Sequence, residues 1–210
     1  MKFDIITIFP QILDSYFNES LLKKARNKGL ISIRTHNLRE FADDKHRKVD
    51  DSPYGGGPGM VLKAEPIAKA VEKIRGKNKK SRVILFSLRG KKFDQKEAHR
   101  LSKYDRLIFI CGRYEGVDER VADYIADEEI SLGDFVLSGG ELPAAMVIEA
   151  VSRLVPGMLG KLESLEEKKG SYPVYTKPDL VKLGGKNRKV PPVLLSGDHR
   201  KIDEWREKNS

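Results

Sequence analysis

Three glycine-rich turns contain most of the residues in this chain whose types and spacing could do chemistry. Their sequences are Y-G-G-G-P-G-M (residues 54–60), C-G-R-Y-E-G (111–116) and S-L-G-D-F-V-L-S-G-G-E-L-P (131–143). A glycine has no Cβ atom, so its backbone can come close to a bound molecule. Three such turns in one small domain predict a ligand that is held mainly by main-chain groups.

Charged side chains beside these turns allow more than one interpretation. Glu115 and Asp118 flank the second turn and could bind a cation, although Asp118 is better placed to cap the following helix. Residues 43–51 offer Lys and Arg to a phosphate, but their interleaved aspartates favour a solvated loop. Arg153 lies near the end of a predicted helix, where an arginine is more often a dipole or surface partner than a catalytic group.

Several common kinds of active site are disfavoured. The chain has neither a G-x-G-x-x-G fingerprint nor a G-x-x-x-x-G-K-[ST] P-loop, which disfavours a Rossmann dinucleotide site and a P-loop NTPase. The sequence does not indicate a Ser-His-Asp or Cys-His arrangement of the kind that nucleophilic active sites use. No metal site is expected, because metal-ligand spacing is lacking among the four histidines, His36, His46, His99 and His199.

The elements that must position these residues follow from hydrophobic periodicity. Strands are predicted at 3–9, 31–38, 82–88, 106–110 and 129–133, and helices at 11–28, 64–74, 94–103, 118–126 and 141–154. Their alternation predicts an α/β fold with a mainly parallel sheet. The turns at 87–90 and 112–116 would then meet at one rim, where such sheets bind ligands. Judged singly, two ordinary strand-to-helix turns are an equally good interpretation.

Composition sets the class of protein and its surroundings. The 210 residues suit one sizeable domain, and the net charge of +9 favours a polyanionic partner such as nucleic acid, although a solvated lysine-rich surface also fits. The single Cys111 excludes an intramolecular disulfide and suits a reducing cytoplasm. We find no signal peptide and no stretch of transmembrane length, so a cytoplasmic protein without a membrane partner is expected.

The chain is predicted to divide into three parts. Residues 1–160 form the α/β domain. Residues 161–192 are rich in Lys, Glu, Gly and Pro with little periodicity, which predicts a flexible linker. Residues 193–210 form a short helical segment, with Asp198 or Ser196 as its cap.

Taken together and in this order, the three turns closely resemble those of the bacterial tRNA (guanine-37-N1)-methyltransferases, which belong to the SPOUT superfamily. Further matches are V-D-D-S-P at 49–53, R-L-V-P-G-M-L-G at 153–160 and Y-P-V-Y-T-K-P at 172–178. The matches are colinear and span nearly the whole chain. The resemblance implies that the α/β domain contains a deep trefoil knot, a rare exception to the rule against knotted chains.

The resemblance also implies the ligands and partners. S-adenosylmethionine would lie bent in the knot. Members of the family are obligate homodimers whose active sites are shared by the two subunits. The C-terminal part of one subunit would hold tRNA over the knot of the other. Carried over by motif, the donor-binding residues are Phe86, Ser87, Leu88, Gly112, Tyr114, Glu115, Ser131, Leu132, Gly133, Asp134, Phe135, Val136, Leu137, Gly139, Gly140 and Pro143.

The implied reaction is methyl transfer from S-adenosylmethionine to N1 of guanosine 37. N1 must lose a proton to attack, so a base is required, and the negative charge that develops on O6 calls for a fixed cation. Arg153 matches the catalytic arginine of the family. Glu115 matches a glutamate that the family links to Mg²⁺ and to donor orientation.

The chain departs from the family where the base is expected. The resemblance implies an aspartate directly before residues 172–178, and this chain has Ser171 there. Glu167 is our first candidate for the base in place of that aspartate, and we expect Glu167→Gln to lower the methylation rate steeply. Relatives usually continue beyond the position of Ser210, so a reduced tRNA-binding segment is expected. The alternatives are a non-catalytic donor- or RNA-binding homologue and a SPOUT methyltransferase for another RNA.

Overall fold

The computed structural model describes residues 1–159 and 171–210. These residues separate into two compact units, Met1–Met158 and Leu159–Ser210. Glu166 and Glu167 lie outside the described residues. None of the described helices combines the length and the apolar character that crossing a bilayer requires.

A five-stranded sheet in the order β2-β1-β6-β5-β7 organises the first unit, and every neighbouring pair is parallel. Its strands are β1 (Lys2–Thr7), β2 (Ser32–Asn37), β5 (Ser81–Lys92), β6 (Arg106–Ile110) and β7 (Glu128–Ser131). A small antiparallel pair, β3 (Asp50–Asp51) and β4 (Val61–Leu62), stands apart from it. The predicted α/β fold with a mainly parallel sheet is confirmed.

Helices cover both faces of this sheet. They are α1 (Asp14–Phe17), α2 (Ser20–Asn27), α3 (Ala64–Arg75), α4 (Gln95–Leu101), α5 (Arg120–Tyr124) and α6 (Glu141–Ser152), with a 3-10 turn at Leu38–Phe41. Successive side chains of β1 point to opposite faces, as strand geometry requires. Ile5 therefore packs in a core with residues of α2, α4 and α6, whereas Ile6 packs in a second core with residues of α3 and α5.

Two elements differ from their predicted extents. The helix predicted over 11–28 is divided into α1 and α2, because Glu19 is extended and Ser20 has a φ of +52°. Strand β5 continues past its predicted end at residue 88. It does so through Gly90, where a Cβ atom would lie 2.6 Å from the backbone of Glu129 and Ile130. The chain thus stays beside β7 up to the edge where the predicted ligand turns lie.

The described part of the second unit, from residue 171 onward, contains a hairpin and two helices. Strands β8 (Leu180–Leu183) and β9 (Lys186–Lys189) form an antiparallel pair, followed by α7 (Pro192–Leu195) and α8 (His199–Lys208). Asp198 caps α8, as predicted, by accepting a hydrogen bond from the Lys201 backbone N–H. The hairpin lies inside the segment that the sequence predicted as a flexible linker.

Candidate functional site

A cleft of about 370 Å³ lies at the carboxyl ends of β5, β6 and β7. Its volume falls in the range of roughly 300–1,000 Å³ that is typical of small-molecule sites. Of the residues that the resemblance predicted to bind the donor, all except Asp134 line this cleft: Phe86, Ser87, Leu88, Gly112, Tyr114, Glu115, Ser131, Leu132, Gly133, Phe135, Val136, Leu137, Gly139, Gly140 and Pro143. Residues 86–88, the turn at 112–116 and the turn at 131–143 are separate in the chain and together form one site.

The turn after β6 is held in shape by its own backbone and by the first glycine-rich loop. Tyr114 has a φ of +58° and Gly116 a φ of +117°, so the chain reverses sharply. The Glu115 N–H donates to the Met60 carbonyl at 3.0 Å. A Cβ atom at Gly59 would lie 2.5 Å from Glu115 Oε1. The loop at 54–60 thus supports Glu115 instead of lining the cleft itself.

The turns after β6 and β7 pack directly against each other. The Gly140 N–H donates to the Gly112 carbonyl at 3.1 Å, and Arg113 forms a β-bridge with Gly139. A Cβ atom at Gly140 would lie 2.7 Å from Cys111 Cα. Glycine is therefore required here by the close approach of two turns, whereas the sequence predicted glycines that let a backbone approach a ligand.

A buried ion pair also holds the turns after β6 and β7 together. Arg113 Nε lies 3.0 Å from Glu141 Oε2, and Glu141 is 1% exposed. The Thr7 hydroxyl donates to Glu141 Oε1 at 2.6 Å, which ties the pair to the end of β1. The Arg113 guanidinium also stacks over the Phe9 ring at 4.8 Å. Both charges lie inside motifs that the sequence singled out, but neither was predicted to have this role.

The third turn has its own local hydrogen bonds. The Ser131 hydroxyl donates to the Gly133 carbonyl and also accepts from the Gly133 N–H, each at 3.2 Å. Gly133 has a φ of +149°, and a Cβ atom there would lie 2.5 Å from the Phe135 ring. Asp134 points elsewhere, because its carboxylate pairs with Lys92 Nζ at 2.6 Å. The structure thus separates Asp134 from the other predicted donor-binding residues.

Carboxylates give part of the cleft a negative character. Glu115, Glu119 and Glu129 all line it. Glu119 accepts two hydrogen bonds from the Arg89 guanidinium, at 2.7 and 2.9 Å. Within the described ranges, Glu129 Oε2 is buried and has no hydrogen-bond partner. Sequence reasoning did not predict Arg89, Glu119 or Glu129, although Arg89 belongs to the turn at 87–90 that it singled out.

Of the other two predicted catalytic residues, Arg153 and Glu167, the structure describes only Arg153. Arg153 is the C-cap of α6 and is not among the residues that line the cleft. Among the described residues, its guanidinium has one ion pair, which is long: 3.9 Å to Glu149 Oε1. Glu167 lies outside the described residues, and Ser171 belongs to the second unit. The described ranges contain no group of three or more His, Cys, Asp or Glu side chains that could hold a metal ion.

Comparisons with known proteins place this site in a family context. The family model described as "tRNA (Guanine-1)-methyltransferase TrmD" matches residues 1–210. A tRNA (guanine-N(1)-)-methyltransferase of Carboxydothermus hydrogenoformans is 52% identical, covering 100% of this chain and 83% of the relative. One from Citrifermentans bemidjiense is 50% identical, covering 99% and 84%. The crystal structure of tRNA (m1G37) methyltransferase from Aquifex aeolicus matches with 47% identity and a TM-score of 0.81, covering 98% of this chain and 87% of that one.

Proposed function

The chain belongs to the tRNA (guanine-1)-methyltransferase family, and we propose that its cleft binds the S-adenosylmethionine that methylates N1 of guanosine 37 in tRNA. The protein is thus an enzyme that transfers a methyl group to guanine N1 in tRNA. The observation that supports the proposed site is the meeting of the turns at 86–88, 112–116 and 131–143 around one cleft.

The residues of the cleft fit S-adenosylmethionine. This donor supplies a methyl group on a positively charged sulfur, and three carboxylates line the cleft. The Glu129 Oε2 atom is buried, has no hydrogen-bond partner among the described residues and lies 3.7 Å from Arg89, so it could accept a hydrogen bond from a ligand hydroxyl or amine. Apolar side chains such as Leu88 and Leu137 offer contact to an adenine ring. Backbone groups of the glycine turns hold and orient the rest.

The reaction also needs a cation beside guanine O6 and a base for the N1 proton, and we propose charged side chains for both. Arg153 would stabilise the negative charge that develops on guanine O6, because its guanidinium has five N–H donors and its ion pair with a described residue, Glu149, is long. A base must accept the N1 proton, and Glu167 remains our prediction for that base. The resemblance links Glu115 to Mg²⁺, but the described residues offer no three-ligand cluster, so we derive no step through the metal.

A homodimer with shared active sites would bring Arg153 to a cleft that it does not line in its own subunit. The first unit exposes an apolar patch that suits such an interface, formed by Ile12, Tyr16, Leu142 and Met146. Leu142 and Met146 lie one turn apart on α6, and the Tyr16 hydroxyl donates to Glu149 of the same helix at 3.4 Å. We place the enzyme in the cytoplasm, where its tRNA substrate would be found.

The test uses labelled S-adenosylmethionine, with and without Mg²⁺, and two tRNA transcripts that carry guanosine or adenosine at position 37. We expect the label only in the guanosine transcript, at N1. Donor binding without incorporation would support a non-catalytic homologue. Incorporation only into a different RNA would support another substrate, and either result would overturn the proposal.

A further inference from the structure

Four residues from three elements form a closed network of contacts beside the cleft. The Thr7 hydroxyl, at the end of β1, donates to Glu141 Oε1 at 2.6 Å, and Glu141 Oε2 lies 3.0 Å from Arg113 Nε. The Arg113 guanidinium stacks over the Phe9 ring at 4.8 Å. The Phe9 backbone N–H closes the network by donating to the Thr7 hydroxyl oxygen at 2.9 Å. The network thus joins the end of β1 to the turn after β6 and to the first residue of α6.

Within this network, Arg113 lines the cleft but Glu141 and Thr7 do not. Glu141 is 1% exposed. A Cβ atom at Gly139, which lines the cleft, would lie 2.7 Å from Glu141 Oε2 and 2.6 Å from Arg113 Cδ. The Glu141 carboxylate therefore contacts residues of the cleft wall without forming part of that wall. Any effect of Glu141 on a bound donor passes through those residues.

The turn that follows Arg113 depends on contacts with its surroundings. Tyr114 has a φ of +58°, in the left-handed region that side chains other than glycine disfavour. Such a backbone persists only where surrounding contacts hold it. The Gly116 N–H donates to the Arg113 carbonyl at 3.0 Å, which closes the turn on Arg113. A fixed Arg113 therefore fixes the start of the turn that brings Tyr114 and Glu115 to the cleft.

A buried ion pair contributes little to stability alone. Removing both charges from water costs about as much as their attraction returns, so apolar side chains of similar volume often stabilise a fold equally well. The pair of Arg113 and Glu141 is directional, however, because the Arg113 Nε–H and the Thr7 hydroxyl each require a carboxylate oxygen in a defined place. Such directionality suits a pair that sets the distance between two turns.

We propose that Glu141 is a positioning residue for donor binding, which acts through Arg113 to hold the turns after β6 and β7 at the separation that S-adenosylmethionine requires. This inference rests on the proposed function, since it assigns a role toward the donor of that reaction. Thr7 orients the carboxylate, and the Phe9 ring confines the guanidinium. Because Glu141 itself touches neither donor nor guanine, its loss should weaken donor binding and leave the rate at saturating donor nearly unchanged.

The first experiment measures kcat and the KM for S-adenosylmethionine in Glu141→Gln, which keeps the shape of the side chain but offers one acceptor oxygen instead of two. We expect KM to rise at least about tenfold and kcat to change less than about twofold. Glu97→Gln is the matched control, because Glu97 is also buried and accepts from Arg100 Nε at 2.8 Å, but its partners Arg100 and Lys91 do not line the cleft. Its KM should stay within about twofold of the unmodified value. An unchanged KM in Glu141→Gln, or an equal rise in Glu97→Gln, would overturn the inference.

Thr7 provides a second test that keeps every charge. Thr7→Ser retains the hydroxyl that donates to Glu141, whereas Thr7→Val has nearly the same shape and lacks it. We expect Thr7→Val to raise KM at least about threefold and Thr7→Ser to match the unmodified enzyme. Equal KM values in the two variants would refute the role of the network. This pair also decides the question if Glu141→Gln does not fold.

Amide hydrogen exchange without any donor separates this inference from the proposed function. The Gly140 N–H bonds to the Gly112 carbonyl across the two turns, and the Gly116 N–H closes the turn on Arg113. Glu141→Gln should speed exchange at least about tenfold in the peptides that contain Gly116 and Gly140, measured by mass spectrometry. If the unmodified protein transfers no methyl group, the proposed function fails, and exchange still decides whether Glu141 holds the turns. Unchanged exchange in both peptides would contradict the positioning role.

Discussion

At the scale of single residues, Gly140 shows how a missing side chain holds the cleft together. We expect Gly140→Ala to lower the free energy of unfolding by about 1–3 kcal/mol, because the new methyl group would meet the Cys111 backbone. It should also weaken S-adenosylmethionine binding, since Gly112 and Gly140 line the cleft together. Thermal unfolding and donor titration measure the two effects.

Gly112→Ala is the matched control for that substitution. Gly112 lies in the same cleft, but a Cβ atom there would lie 3.6 Å from Val117, which is an ordinary contact. Gly112→Ala should therefore change stability much less than Gly140→Ala. Equal losses in the two variants would show that close backbone approach is not the reason for glycine at 140.

A second prediction for a single residue concerns the catalytic role of Arg153. Arg153→Ala should lower the single-turnover methylation rate by about 10²–10³, because it removes a donor to the charge that develops on O6. The affinity for S-adenosylmethionine should be unchanged, since Arg153 is not among the residues that line the cleft. Rapid-quench assays at saturating tRNA give the rate.

Arg200→Ala serves as the comparison, because Arg200 also pairs with a glutamate four residues away on its helix. Its rate at saturating tRNA should match that of the unmodified enzyme. If Arg153→Ala has the same rate as Arg200→Ala, the assignment of Arg153 is wrong.

At the scale of elements, an ion-pair network ties α4 to β5 and β7. Glu97, which is buried, accepts hydrogen bonds from Arg100 Nε at 2.8 Å and from Lys91 Nζ at 2.6 Å. Arg100 also donates to Glu128 at 2.6 Å, and Glu128 accepts from Arg82 at 2.7 Å. Residues 85–89 of β5 and the turn that follows β7 line the cleft, so this network stabilises the strands that carry them.

The hydrogen bonds from Arg100 and then Lys91 hold the pKa of Glu97 below its usual range. The resulting stability is fully present above the unfolded pKa of about 4.3 and is lost as pH falls through the lower folded value. We expect Glu97→Gln to lower the free energy of unfolding by about 1.5–3 kcal/mol at pH 7. The difference from the unmodified protein should shrink below about pH 4.

Urea unfolding of both proteins between pH 3 and 7 measures that difference. Glu72→Gln is a suitable control, because Glu72 is exposed on α3 and forms no ion pair with another described residue. A Glu97→Gln effect that stays constant down to pH 3 would contradict the charge-based explanation.

At the scale of the whole molecule, the two units carry different parts of the proposed activity. Every described residue that lines the cleft belongs to the first unit, whereas the cations of the hairpin belong to the second. The net charge of +9 suits an RNA substrate. The apolar patch of Ile12, Tyr16, Leu142 and Met146 is the surface that we propose for a second copy of the chain.

Met146→Glu tests that surface. A charge at the centre of an apolar interface would have to be desolvated, so we expect the variant to be a monomer by light scattering. Its methylation rate should fall with dimer content, because each active site would need both chains. Leu183→Glu, at an exposed leucine outside the patch, should leave the molecular mass unchanged. A monomeric unmodified protein with full activity would refute the shared site.

Local patterns in the sequence were enough to predict the type of fold and the turns of the cleft. The apolar runs of β1 and β6 and the helical spacing of α3 depend on neighbours only a few residues away. Glycines at strand ends predicted a close approach of backbone to ligand, which stays a prediction; at Gly140 the structure shows instead a close approach between two turns. The hairpin of β8 and β9 was missed, because its exposed, lysine-rich strands lack the alternation that marks a buried face.

Only the tertiary structure decided which charges and atoms meet. The Thr7–Glu141 hydrogen bond joins residues 134 positions apart, and the Arg89–Glu119 pair joins residues 30 positions apart. No periodicity specifies such partners, because they are set by how the sheet and helices pack. The same holds for the exclusion of Asp134, whose neighbours in sequence line the cleft while its own carboxylate pairs with Lys92. The sequence by itself therefore determined the elements and the ligand turns, and packing over long range determined the charged groups that surround them.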